Sequence, residues 1–134
     1  MFANPRPVHG PLCCALERIT LKKSLSGPEV AYPIQAIRLG SDVTIIALTS
    51  EVVVDYSLRL KRQLAQPPAM VWVAGYCNGY FGYIPSDRVL AEGDYEADGW
   101  KMPIEEPIVT KALELVRRTD AAEPAAPPSG KSTK

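Results

Sequence analysis

Two short stretches carry residues whose type and spacing could do chemistry. The first is Glu51, which closely follows the apolar run Val43–Thr49 (VTIIALT). A carboxylate where a buried strand gives way to a helix points into the crevice at which α/β proteins bind ligands. The same residue is equally described as a helix-start carboxylate, which the helix macrodipole favours by about 0.3–1 kcal/mol. The second stretch is Val71–Ile84, VWVAGYCNGYFGYI. It opens as a strand at Val71, Trp72 and Val73, then breaks at Gly75, Asn78, Gly79 and Gly82. Tyr76, Tyr80 and Tyr83 sit in that break with Cys77 and Phe81. A strand that ends in a glycine-permissive, tyrosine-rich loop sets polar groups at a site. The same composition also describes a packed loop whose phenols bond to backbone.

Other residue types offer less. Cys13, Cys14 and Cys77 are odd in number and show no C-x-x-C spacing, so neither a disulfide framework nor a zinc knuckle is expected. They read as free, mostly buried thiols. His9 is the sole histidine and lies between Pro7 and Pro11, where regular helix is barred.

The elements that must position Glu51 and the tyrosines follow from periodicity. Residues 1–12 form a proline-rich lead-in, Leu16, Ile19 and Leu21 fit a short strand, and Lys22–Ala31 reads as a loop. Tyr32–Leu39 and Val43–Thr49, joined by Gly40-Ser41-Asp42, predict an antiparallel hairpin over 32–49. The near-continuous apolar run of the second strand predicts burial on both faces. From Val52 the period becomes helical, through Tyr56, Leu60 and Leu64, predicting a helix over 51–65. Thr49 and Ser50 are its candidate caps, and Gln66-Pro67-Pro68 ends it. A strand over 70–76 follows. Ser86 caps a short helix over 86–92 that Gly93 stops. An amphipathic helix over 105–118 turns Ile108, Val109, Ala112, Leu113, Leu115 and Val116 inward. Beyond Thr119 the Ala, Pro, Ser, Gly and Lys content predicts a disordered tail. The expected fold is α/β, a partial mixed sheet with three helices, in one domain over 1–118 with a tail over 119–134.

The 134 residues hold fifteen basic and fifteen acidic side chains, so no general attraction to nucleic acid follows. The cluster Arg59, Lys61, Arg62 reads as a solvated helix face. No apolar run reaches the roughly 20 residues that span a bilayer. The first residues carry no continuous apolar core, so no signal peptide is visible and a cytoplasmic location is expected if Met1 is the natural start.

Ser50–Arg62 (SEVVVDYSLRLKR) and Gly75–Asp98 (GYCNGYFGYIPSDRVLAEGDYEAD) together resemble the C-terminal part of the catalytic domain of neutral/alkaline non-lysosomal ceramidases, in the bacterial ceramidase-like branch. The resemblance extends over Leu12 to Asp98, and the helix over 105–118 also fits. It implies a zinc amidohydrolase that splits the amide of ceramide or a related N-acyl lipid into sphingoid base and fatty acid. In this family one zinc ion is held by two histidines from the N-terminal half, and by a glutamate and a tyrosine from the C-terminal half. The glutamate ligand falls on Glu51 and the tyrosine ligand on Tyr83. A further tyrosine, which hydrogen-bonds the reacting carbonyl, falls on Tyr95. Carboxylate oxygen is an ordinary zinc ligand, and bound zinc polarises a carbonyl and acidifies water.

The histidine ligands belong to a half that these 134 residues do not contain. The resemblance therefore implies a partial site and a partner, a separately encoded N-terminal half, with relatives often exported. Two expectations follow. The chain is a fragment of a ceramidase-like zinc amidohydrolase, inactive alone; or it is an inert relic or interaction module with no metal.

Overall fold

The structure, a computed structural model, describes residues 10–64 and 70–121. The chain opens with strand β1 (Leu12–Lys22), which turns back into β2 (Glu29–Leu39) in an antiparallel ladder from Leu12↔Leu39 to Lys22↔Glu29. The sequence predicts a loop as far as Ala31; β2 starts at Glu29 because residues 29–31 find backbone partners in Thr20–Lys22. Those partners are set by the register of the whole hairpin, which local composition does not contain. Strand β3 (Val43–Thr49) pairs antiparallel with β2, as the hairpin over 32–49 requires. Strand β5 (Met70–Cys77) then adds parallel to β3, giving the order β1-β2-β3-β5. The mixed sheet is thus present, one strand wider than the hairpin plus 70–76.

Helices lie against one face of this sheet. Helix α1 (Val54–Leu64) buries Tyr56 and Leu60, and helix α3 (Glu105–Ala121) buries Ile108, Val109, Ala112, Leu115 and Val116. They meet Ile34, Ala36, Ile46 and Leu48 from the strands, each fully buried. Each of the three isoleucine and leucine side chains contributes about 1.5–3 kcal/mol on leaving water. Ion pairs tie α3 to the same face: Lys111 and Arg118 both reach Glu17 of β1, and Arg38 of β2 reaches Asp120. Lys111 and Arg118 hold the Glu17 carboxyl below its usual range.

Two predicted boundaries move. The helix expected over 51–65 starts at Val54, because Glu51–Val52 form a short strand, β4, paired in parallel with β6 (Tyr83–Ile84). Thr49 and Ser50 therefore cap no helix; their hydroxyls bond elsewhere. The far boundary at 65 and the Gln66-Pro67-Pro68 stop lie outside the described residues. At the other end α3 runs on through Ala121, so 119–121 are helix rather than tail. Thr119 is buried, and its hydroxyl donates to the Val116 carbonyl at 2.7 Å. The rest of the predicted tail lies outside the described residues. Helix α2 (Asp87–Glu92) matches expectation: Ser86 accepts from the Val89 amide, and Gly93 leaves the helix at φ 77°. No helix among the described residues is long and apolar enough to cross a membrane.

Among the described residues no helix lies on the opposite sheet face. The register aligns Leu12, Leu39, Val43 and Met70 in one transverse row, and Cys14, Ile37, Ile45 and Trp72 in the next. Burial of β3 on both faces is therefore only half realised: Ile46 is fully buried and Ile45 is not.

Candidate functional site

Glu51 is placed by the residue before it. At the end of β3 the Thr49 hydroxyl donates to the Pro33 carbonyl at 2.6 Å, and the buried Tyr32 hydroxyl donates to the Thr49 carbonyl at 2.8 Å. Ser50 then turns the chain with φ 68°, a conformation non-glycine residues rarely adopt. Its bonds hold it there. Its amide donates to Gly79 O at 3.1 Å and its hydroxyl to Gly82 O at 2.6 Å. Its hydroxyl accepts from the Phe81 amide at 2.8 Å, and its carbonyl accepts from the Tyr76 amide at 2.7 Å. Ser50 is thus the post around which the tyrosine loop winds. Gly79 (φ 147°) and Gly82 (φ 91°) supply the carbonyls it reads, in backbone that a side chain would strain.

From this post the chain extends through Glu51 and Val52 beside Tyr83 and Ile84. Glu51 and Tyr83 are register partners. The Glu51 amide donates to Gly82 O at 3.2 Å, and the Val53 amide to Ile84 O at 3.3 Å. The buried indole of Trp100 donates to the Tyr83 carbonyl at 2.8 Å, holding β6 from behind. The hydroxyl of buried Tyr56 donates to Pro85 O at 2.9 Å and fixes the next residue.

The tyrosines form two pairs. Tyr76 and Tyr80 are stacked, with centroids 6.0 Å apart and planes 7° from parallel. Tyr83 and Tyr95 meet edge to face at 5.3 Å, an arrangement the ring quadrupoles favour. The Tyr76 phenol bonds to the Glu51 carboxylate, which pushes its pKa up to about 12. The bond to Tyr95, desolvation and the nearby Glu51 charge push Tyr83 up to about 12 as well. Both phenols are therefore neutral donors at neutral pH. Glu51, Tyr83, Val52, Arg88 and Glu96 line an adjoining cleft of about 300 Å³.

Of the residues singled out in the sequence, the fold brings Glu51 and Tyr83 side by side and attaches Tyr95 to Tyr83. Cys77 stands apart: its thiol contacts the Gly75 carbonyl at 3.4 Å, and burial pushes its pKa up, so it is no activated nucleophile. His9 lies outside the described residues. Three contributors carried no such role in the sequence: Ser50, read as a helix cap; Tyr76, read only as one loop phenol; and Trp100, in an irregular stretch. An apolar indole amid Asp98, Gly99 and Lys101 was the available signal.

A metal ion would find part of its donor set here. Glu51 offers carboxylate oxygen and Tyr83 phenol oxygen, while zinc sites take three protein ligands or more. Among the described residues no three His, Cys, Asp or Glu side chains come together to hold a metal. The described residues by themselves do not fit a complete zinc centre. Comparison of the chain with protein-family models, with curated proteins and with solved structures gives no match.

Proposed function

We propose that this chain is the C-terminal portion of a ceramidase-like zinc amidohydrolase, acting on the amide of ceramide or a related N-acyl lipid. The observation that carries this reading is the pairing of Glu51 with Tyr83 in a ladder of its own. Residues far apart in sequence, each a candidate ligand by resemblance, share one edge of one cleft. A zinc ion held by Glu51, Tyr83 and ligands from outside this chain would supply Lewis acidity toward the amide carbonyl. This chain's part is to hold a carboxylate and a phenol at fixed spacing, with the Tyr95 ring packed edge to face against Tyr83. The remaining ligands come from a histidine-bearing N-terminal half, in cis or in trans.

The test is zinc affinity, by equilibrium dialysis, of the chain alone and of the chain joined to such a half. The joined protein is expected to bind zinc and release fatty acid from an N-acylsphingosine, and Glu51→Ala or Tyr83→Phe to weaken binding at least tenfold. Zinc binding unchanged by both substitutions would reject the assignment. A second reading, an interaction module without chemistry, is favoured by the incomplete donor set. It requires that no zinc binding and no hydrolysis follow from joining the halves.

A further inference from the structure

We infer that the helix-free face of the sheet is the interface of a homodimer, in which two copies pack sheet against sheet. The face is apolar in successive rows. Cys14, Ile37, Ile45 and Trp72 form one row across all four strands, and the row beside it ends in Leu12 and Met70. Its outer members stand in water: Trp72 is 57% exposed, Met70 54% and Leu12 70%. An indole so exposed on a strand between two apolar neighbours is uncommon on a surface with no partner.

The size of the face suits a second copy. Strands lie about 4.8 Å apart and rise about 3.3 Å per residue, so the whole sheet covers roughly 600 Å² in plan and the two apolar rows roughly 250 Å². Side chains standing off the sheet expose more than the plan area. That brings the face to the scale of the about 800 Å² per partner that a standard interface takes.

Charge fits as well. Of the charged side chains of this face, Lys22 and Glu29 pair at the β1–β2 turn, and Arg18 stands on the edge strand β1 opposite Pro33. The centre is uncharged, so one copy meets another without burying like charges. Twisted sheets of this kind pack face to face about 10 Å apart, with strands about 30° from aligned. The inference does not depend on the zinc reading.

The test is the mass of the full chain by sedimentation across a range of concentrations. Twice the 14.6 kDa chain mass is expected. Trp72→Arg and Leu16→Glu, both on this face, are expected to give monomers, while Leu58→Glu, on the exposed side of α1, leaves the dimer intact. The wild-type chain offers a readout that needs no variant. It has two tryptophans, and Trp100 is already buried. Its emission should shift to the red on dilution as Trp72 becomes wet. A monomer at every concentration, open-ended aggregation, or dimers that survive both face substitutions would overturn the inference. So would emission that ignores dilution.

Discussion

Glu51 and Tyr83 lie opposite each other in a parallel ladder only two residues long, separate from the main sheet. Such a ladder has little stability of its own. It is held by the Ser50 hydroxyl on one side and the Trp100 indole on the other. The spacing of the carboxylate and the phenol is therefore a property of the surrounding fold.

Replacing Ser50 tests that support. Ser50→Ala removes one donor and one acceptor in a buried turn and should cost about 1–3 kcal/mol in urea unfolding. Ser50→Gly loses the same bonds but relaxes the positive φ, and should cost about 1 kcal/mol less than alanine. If alanine proved the milder change, backbone strain at this residue would be excluded.

The Glu51–Tyr76 bond has a spectroscopic signature. The Glu51 carboxylate favours the neutral form of Tyr76 and pushes its pKa up to about 12. Glu51→Gln removes that charge, so the Tyr76 transition should fall toward the ordinary value of about 10. Tyr83 is held first by Tyr95 and should respond more to Tyr95→Phe. Tyrosinate absorbance against pH measures both, and an unmoved Tyr76 transition in Glu51→Gln would break the link.

A second buried contact joins the three helices. The Glu105 carboxylate, at the start of α3, accepts from the Arg59 guanidinium of α1 at 2.9 Å and from the Asp87 amide of α2 at 2.8 Å. Arg59→Met strands that carboxylate and should cost about 2–3 kcal/mol, below the 3–5 of a fully buried pair because Arg59 is partly wet. Glu105→Gln keeps an oxygen for the amide and should cost less. Glu106→Ala, on the exposed arm of the same arginine, should stay within about 0.5 kcal/mol. Equal losses for Arg59→Met and Glu106→Ala would show that burial plays no part.

Acid should weaken the contact between α1 and α2. The Ser86 hydroxyl, then Arg88, hold the Asp55 carboxyl below its usual range. A carboxyl whose folded pKa is depressed stabilises the fold above its unfolded pKa of about 4. That contribution disappears as pH falls through the lower folded value. Asp55→Asn should lower stability at pH 7 and flatten its fall below pH 4, measured by urea midpoints. An equally steep acid limb in the variant would assign the pH dependence to other groups, Glu17 first.

Some of this molecule was fixed by local sequence. Helix α2 stands where its caps place it and α3 starts where its apolar stripe begins, because a helix is held by bonds between near neighbours. The hairpin over 32–49 follows from alternation and a glycine turn for the same reason. The tertiary structure decided what depends on distant partners. The sequence around Glu51 reads as a helix start; a strand forms instead because Tyr83 and Ile84, some thirty residues on, take up its backbone. The pairing of Tyr76 with Glu51, the indole bond to Tyr83 and the apolar face that no described helix covers arise the same way, from register and chain path. No local period encodes them, since each is a bond or a vacancy between segments that meet only once the sheet has closed.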